Sequence, residues 1–186
     1  MSQIILASQS PRRKQLLEWA EVDFEIMVAD TDETFPEDIA VEDVAIHVAT
    51  EKARAIQRKS NGQIIIAADT IVVLNNEVIN KPVDREDAIK ILGRLSGRHH
   101  KVITGVVILQ VEKNISFTDT TDVEFHSLTQ SQIEFYVDKY KPYDKAGAYA
   151  IQEWIGVIGI KCINGDFYNV MGLPVSRVVK ALESFR

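Results

Sequence analysis

The segment Ser8-Gln9-Ser10-Pro11-Arg12-Arg13-Lys14 places three consecutive cations just after two serines and a proline. Ser10 reads as a helix N-cap and Pro11 as the first helical residue, so the cations fall in a first turn. Backbone N–H groups and the helix dipole attract anions there, serine hydroxyls donate, and arginine's planar fork suits phosphate oxygens. Cations in that turn oppose the dipole by about 0.3–1 kcal/mol. The pattern is that of a phosphate cradle, with a solvated basic turn as the plainer alternative.

Asp69 is the second candidate. It follows Ile64-Ile65-Ile66-Ala67-Ala68, a continuous apolar run of the kind buried on both faces of a sheet. A carboxylate there pays desolvation unless a metal, a cation or hydrogen bonds compensate it, which makes it a candidate general base or metal ligand. It could equally cap the following turn. The acidic run Asp30-Thr31-Asp32-Glu33, with Glu37-Asp38 beyond it, could supply oxygen ligands to Mg²⁺ or Mn²⁺, or be a solvated loop. His99-His100 is adjacent rather than spaced by a helical turn and is read as surface; His47 and His126 are isolated. The single cysteine, Cys162, is read as a core thiol.

These residues need elements to hold them. Gln3 to Ala7 reads as a buried strand, followed by the helix from Pro11 with Leu16, Leu17 and Ala20 at helical spacing, then a strand over Val22–Ile26. Val41 to Lys59 reads as an amphipathic helix with Val44, Val48 and Ala55 on one face. The Ile64 strand continues to Leu74, and Asn75-Asn76 turns it back through Val78-Ile79, returning Lys81 beside Asp69. Asp84 caps a helix to about Leu95; Val102–Val111 and Ile115–His126 are long strands; Thr129 and Gln132 make a capping box for a helix through Val137. Val157–Cys162 and Phe167–Val170 are expected as a strand pair around Asn164-Gly165, with a final helix from Pro174. Alternating helices and strands with hairpins indicate an α/β class with a mixed sheet.

At 186 residues, 46% apolar, 26% charged and with net charge −6, the composition is that of one ordinary globular domain. No run approaches the roughly 20 apolar residues needed to span a bilayer, and no signal-peptide pattern opens the chain. A pI near 5.3 argues against a nucleic-acid footprint, and one cysteine fits a reducing compartment, so a cytoplasmic protein is expected. Neither G-x-x-x-x-G-K-[ST] nor G-x-G-x-x-G occurs. What the residues offer is a cation-serine cradle facing a carboxylate, the equipment of metal-assisted phosphoryl chemistry.

The motifs Ala7-Ser8-Gln9-Ser10-Pro11-Arg12-Arg13, Asp32-Glu33-Thr34, Glu51-Lys52-Ala53, Ala67-Ala68-Asp69-Thr70-Ile71-Val72, Asn80-Lys81-Pro82 and Lys145-Ala146-Gly147-Ala148-Tyr149-Ala150-Ile151-Gln152 run in register along the whole chain. In them the sequence resembles the Maf family of nucleoside triphosphate pyrophosphatases, also called septum formation inhibitor proteins. The resemblance implies one domain over residues 1–186. Its expected fold is similar to that of inosine triphosphate pyrophosphatases, an elongated mixed sheet flanked by helices, with two lobes around a central cleft. It implies hydrolysis of a nucleoside triphosphate to the monophosphate and pyrophosphate with Mg²⁺ or Mn²⁺. Asp69 would be the catalytic carboxylate, with Glu33 assisting in metal or water positioning. Ser8, Arg12, Arg13, Lys52 and Lys81 would hold phosphates; Lys52 enters only through the resemblance.

The Tyr149-Ala150-Ile151-Gln152 segment resembles the subgroup acting on dTTP and UTP, in which Arg12, Thr70 and Gln152 are tied to specificity. The Gln152 amide offers both a donor and an acceptor, as the O4 and N3–H edge of uracil or thymine requires. At Glu153-Trp154 the sequence departs from the pattern, where a small residue or glycine commonly follows. A homodimer is also implied. The competing readings are a nucleotide-sensing module in septum formation that does not turn over, and a purine-nucleotide pyrophosphatase.

Overall fold

A computed structural model describes residues 3–31, 34–36 and 38–185. The strands are β1 (Ile4–Leu6), β2 (Glu25–Ile26), β3 (Ile64–Leu74), β4 (Glu77–Ile79), β5 (His99–Gln110), β6 (Lys113–Phe125) and β7 (Ile160–Asn164). The helices are α1 (Pro11–Trp19), α2 (Val41–Gln57), α3 (Arg85–Leu95), α4 (Gln130–Tyr140), α5 (Trp154–Gly159), α6 (Phe167–Met171) and α7 (Val175–Leu182). The strands form a mixed seven-stranded sheet in the order β2-β1-β3-β5-β6-β7, with β4 paired to β3. This is the expected α/β class with a mixed sheet and flanking helices. Among the described residues no helix is long and apolar enough to cross a membrane.

The chain forms two compact units, one of residues 1–70, 104–119 and 172–186, the other of 71–103 and 120–171. In the first, β1 runs parallel to β2 and to β3, with Ile4 opposite Ile64 and Leu6 opposite Ile66. α2 lays Ala49, Ala53 and Ile56 onto Ile5, Ala7, Ile65, Ala67, Val107 and Leu109 of the sheet. Small residues on that stripe let helix and sheet approach closely, and each fully buried isoleucine contributes about 1.5–3 kcal/mol. Gly105 of β5 takes this to its limit: a Cβ there would stand 2.4 Å from the Ile46 nitrogen and 2.5 Å from the Ala45 carbonyl carbon. Glu42 and Asp43 in the first turn of α2 and Arg54 in its last complement the dipole. The α2 face differs slightly from that expected, since Ala55 is only half-buried and Ala45, Ala49 and Ala53 complete the buried stripe.

In the second unit, β4 folds back antiparallel on β3 with Val73 opposite Val78, across Asn75 and Asn76, both at positive φ (51° and 64°). That is the two-residue turn whose twist suits a hairpin. The Asp84 side chain accepts from the Asp87 N–H and caps α3, and the Thr129–Gln132 capping box opens α4 as anticipated. Gly147 sits at φ +69° with its α-carbon facing Val72, where a Cβ would lie 2.8 Å from the valine methyl. Only glycine satisfies both the conformation and the contact.

Three expectations fail in this unit. The strand pair around Asn164-Gly165 does not form: residues 154–159 and 167–171 are helical, and β7 instead pairs antiparallel with β6, Val123 opposite Ile163. The Asp166 carboxylate accepts from the Tyr168 N–H at 2.8 Å, a local cap that turns the chain into α6. Cys162 is exposed rather than a core thiol, because β7 ends the strand order and none of its residues is buried. His100 is buried, 3% exposed, although His99 is on the surface; successive side chains of β5 point to opposite faces.

Candidate active site

The eleven residues of β3 are buried except for Asp69 and Thr70, which are half-buried. The registered pairs with β1 end at Ile66 and those with β4 begin at Val72, so both polar residues fall in the stretch between. Main-chain pairing on that side stops where chemistry-bearing side chains start. The chain leaving β1 donates once more, from Ala7 N–H to the Ile66 carbonyl at 2.8 Å, and then passes through Ser8 into α1.

Around these positions the first unit assembles a polar cluster. Arg13 is 8% exposed, and its guanidinium donates from Nε to the Gly172 carbonyl at 2.8 Å, from one terminal nitrogen to Ser8 Oγ at 3.2 Å and from the other to Thr70 Oγ1 at 2.9 Å. Ser8 Oγ also accepts from the Ser10 N–H at 3.2 Å, and Thr70 and Thr104 share a hydroxyl–hydroxyl bond of 2.9 Å. Gly172 turns its carbonyl toward Arg13 at φ +117°. Ser10 occupies the N-cap of α1 without a side-chain cap bond, and that first turn holds no acidic residue. Of the three cations of this turn, Arg13 is engaged with Gly172, Ser8 and Thr70 and Lys14 lies 3.6 Å from the Glu18 carboxylate. Arg12 is half-buried within the turn.

Lys52 crosses to β3 from α2. Its Nζ lies 2.7 Å from Asp69 Oδ1, both side chains about 15% exposed. A half-buried pair of this kind places a compact cation against the single carboxylate of the strand. Periodicity alone passes over Lys52, yet Val44 and Val48 precede it at steps of four, which continues the buried stripe into a charge.

In the second unit Lys81 follows β4 by two positions and is exposed. Gln152 is exposed and, with Ile151, Gly156, Val157, Ile160, Ile163 and Phe167, lines a cavity of about 430 Å³. Gln152 is the one amide among these lining residues, which are otherwise apolar. Tyr149, of the same segment, is buried against His100 and Phe125 in edge-to-face contacts, its hydroxyl 2.7 Å from His100 Nε2. Burial pushes the Tyr149 phenol well above its ordinary range, so it stays protonated. Glu33, Asp32 and Glu37 lie outside the described residues. Among the described residues no group of three or more His, Cys, Asp or Glu side chains is arranged to hold a metal. Mg²⁺ does not require one, since it is commonly held by one or two carboxylates with substrate phosphates and water completing its shell. Asp69 fits that donor set.

Residues 3–185 match the Maf family, described as Maf-like protein. A dTTP/UTP pyrophosphatase of Cytophaga hutchinsonii is 49% identical over 180 residues, spanning 97% of this chain and 83% of that protein. One of Bacteroides thetaiotaomicron is 48% identical over 183 residues, spanning 97% and 95%. Among solved structures, the Staphylococcus aureus Ham1 protein superposes with a TM-score of 0.55 at 19% identity, covering 99% of this chain and 100% of that one. A HAM1 protein from Coxiella burnetii gives 0.53 at 16% identity. At these identities the likeness is one of fold.

Proposed function

The chain belongs to the Maf family of Maf-like proteins, and from that premise we propose that it hydrolyses dTTP and UTP to the monophosphate and pyrophosphate. The observation that carries the chemistry is the Lys52–Asp69 pair standing one residue from the Arg13–Thr70–Ser8 cluster. Relatives at 43–49% identity are dTTP/UTP pyrophosphatases by name, which supports a nucleoside triphosphate pyrophosphatase activity and does not favour a sensing module without turnover.

In this reading Asp69 accepts a proton from the attacking water. The water oxygen bonds to the α-phosphorus, the bond to the α–β bridging oxygen breaks, and its electron pair leaves with pyrophosphate. Lys52 orients the Asp69 carboxylate and adds positive charge near the reacting phosphate. Arg12, Lys81, Ser8 and the N–H groups opening α1 would hold the polyphosphate, and Arg13 would act mainly by fixing Ser8 and Thr70 in place while lending its charge. Asp69, together with Glu33, would hold Mg²⁺ or Mn²⁺, which when bound neutralises charge on the phosphates. Gln152 would read the O4 and N3–H edge of the base, with Arg12 and Thr70 contributing to specificity. The acidic pI near 5.3 and single cysteine support a cytoplasmic enzyme with no nucleic-acid partner.

The test is pyrophosphate release from dTTP, UTP, CTP, GTP, 7-methyl-GTP and ATP, with Mg²⁺ or Mn²⁺ and an EDTA control. Wild type should act on dTTP and UTP, and Asp69→Asn should lose about 10³-fold or more in kcat. Release from guanine nucleotides would overturn the base assignment. Binding without release from any nucleotide would overturn the reaction.

A further inference from the structure

The segment that carries Gln152 is tied to α4 by polar contacts outside the phosphate cradle and the Lys52–Asp69 pair. Tyr136 is fully buried on α4, and its hydroxyl accepts from the Ala150 N–H at 3.2 Å while donating to Glu153 Oε2. The other carboxylate oxygen of Glu153 lies 3.7 Å from Lys145 Nζ, which in turn stands 2.8 Å from Asp144 Oδ1. Lys145 is only 8% exposed, and these two carboxylates are the ion-pair partners that compensate its burial.

The arrangement clamps the segment at both ends. Ala150 and Glu153, the residues flanking Ile151-Gln152, meet at one phenol, and Lys145, where the segment begins, meets the same carboxylate. Between them the backbone takes positive φ at Gly147 (69°) and Ala148 (58°), a conformation that a non-glycine residue holds only where its surroundings impose it. Gln152 itself is exposed at the rim of the apolar cavity, so little other than this clamp sets its direction.

We propose that Glu153 is a positioning residue for base selection: through Tyr136 and Lys145 it sets where the Gln152 amide stands. The proposal rests on the reading of Gln152 as the base reader. An amide that discriminates uracil from cytosine must present its donor and acceptor in fixed order and place, and a displacement of about 1 Å is enough to lose much of that discrimination. Glu153 does not touch the reacting phosphates in this account, so its loss acts on which base binds and not on how fast the anhydride breaks.

The experiment measures kcat and KM for dTTP and CTP with wild type, Glu153→Gly, Glu153→Gln and Tyr136→Phe, alongside thermal unfolding. Glu153→Gly should raise KM for dTTP about tenfold, keep kcat within about threefold, and lower the dTTP-over-CTP preference in kcat/KM about tenfold. Glu153→Gln keeps a carbonyl acceptor for Tyr136 and should stay within about threefold of wild-type preference. Tyr136→Phe breaks the middle link and should reproduce Glu153→Gly, and the double variant should be no worse than either single one, as for residues acting in one chain. If Glu153→Gly does not fold, Glu153→Gln and Tyr136→Phe carry the comparison. A preference unchanged within twofold, or a kcat lowered alike for both nucleotides, would overturn the proposal even where Tm falls. A wild type that turns over both nucleotides without preference would instead remove the Gln152 reading, and this proposal with it.

Discussion

At the scale of single residues, the Lys52–Asp69 pair separates what a fold needs from what a reaction needs. With side chains about 15% exposed, it has given up most of its hydration without the full Coulombic return of a dry interior. Pairs of this sort are often replaceable by uncharged residues of similar size without loss of stability. Lys52→Met should therefore lower kcat/KM by about 10²-fold, the scale on which a preorganised charge at the reacting group acts. The double variant Lys52→Met/Asp69→Asn should be inactive yet melt no lower than about 2 °C below wild type, since about 1 kcal/mol moves Tm by about 2–4 °C at this chain length. Parallel measurement of pyrophosphate release and thermal unfolding checks both halves. A double variant that keeps its inactivity but loses about 3 kcal/mol would show that the pair is retained for the fold.

At the scale of elements, Gly105 on β5 allows the backbone of α2, the helix that carries Lys52, to approach the sheet at Ala45 and Ile46. A methyl group at 2.4 Å from a main-chain nitrogen cannot be accommodated by side-chain rotation, so Gly105→Ala must push the helix outward. It should cost about 1–3 kcal/mol of stability and lower kcat at least tenfold. Gly93 on α3 offers the opposite case: nothing lies within 4 Å of its would-be Cβ, and Gly93→Ala should stabilise by about 0.5–1 kcal/mol with activity unchanged. Urea titrations of both variants with kcat alongside distinguish them. Elements governed by short-range chemistry were legible in the sequence: the cap at Asp84, the box at Thr129–Gln132, the Asn75-Asn76 turn and the apolar run of β3 each act within a few residues. Those governed by competing periods were not. Val157, Ile158 and Ile160 read as the apolar run of a strand, but helix α5 covers the first two and leaves Val157 80% exposed. The Asp166 cap on α6 was present in the sequence and outweighed by the apolar Phe167–Val170 run. Within the site, the Ser8–Arg13 turn and Asp69 are readable because their chemistry conflicts with their local setting. Lys52 leaves only a faint signal, a charge continuing the Val44–Val48 stripe, and its partner Asp69 shows only when α2 is laid across β3.

At the scale of the whole molecule, the buried imidazole of His100 links the folding equilibrium to pH. Burial, with the neighbouring charge of His99 adding to it, pushes His100 down to about 4 from an ordinary 6.5. Its Nε2 meets the Tyr149 hydroxyl at 2.7 Å, Nδ1 has no hydrogen-bond partner among the described residues, and Phe125 packs edge-on at 5.2 Å, a buried and neutral setting that disfavours a second proton. The unfolded chain takes up that proton near pH 6.5 and the folded chain only near pH 4. Between those values the unfolded state binds more protons, so stability is complete above about pH 6.5 and falls as the pH drops toward 4. The shift corresponds to roughly 3 kcal/mol in all, of which about 2 kcal/mol is lost by pH 5. Paired carboxylates contribute in the same direction at lower pH: Glu124, held below its ordinary range by the Lys161 hydrogen bond, keeps its contribution until the medium turns more acidic. The two are separated by comparing wild type with His100→Gln, which cannot titrate. Guanidinium unfolding at pH 7.5, 6, 5 and 4 should show wild type losing roughly 2–3 kcal/mol more than the variant across the series, most of it between pH 6.5 and 4.5. Parallel stability curves for the two proteins would mean that the His100 ring is rehydrated or finds an acceptor when protonated, and acid lability would then lie with the carboxylates alone.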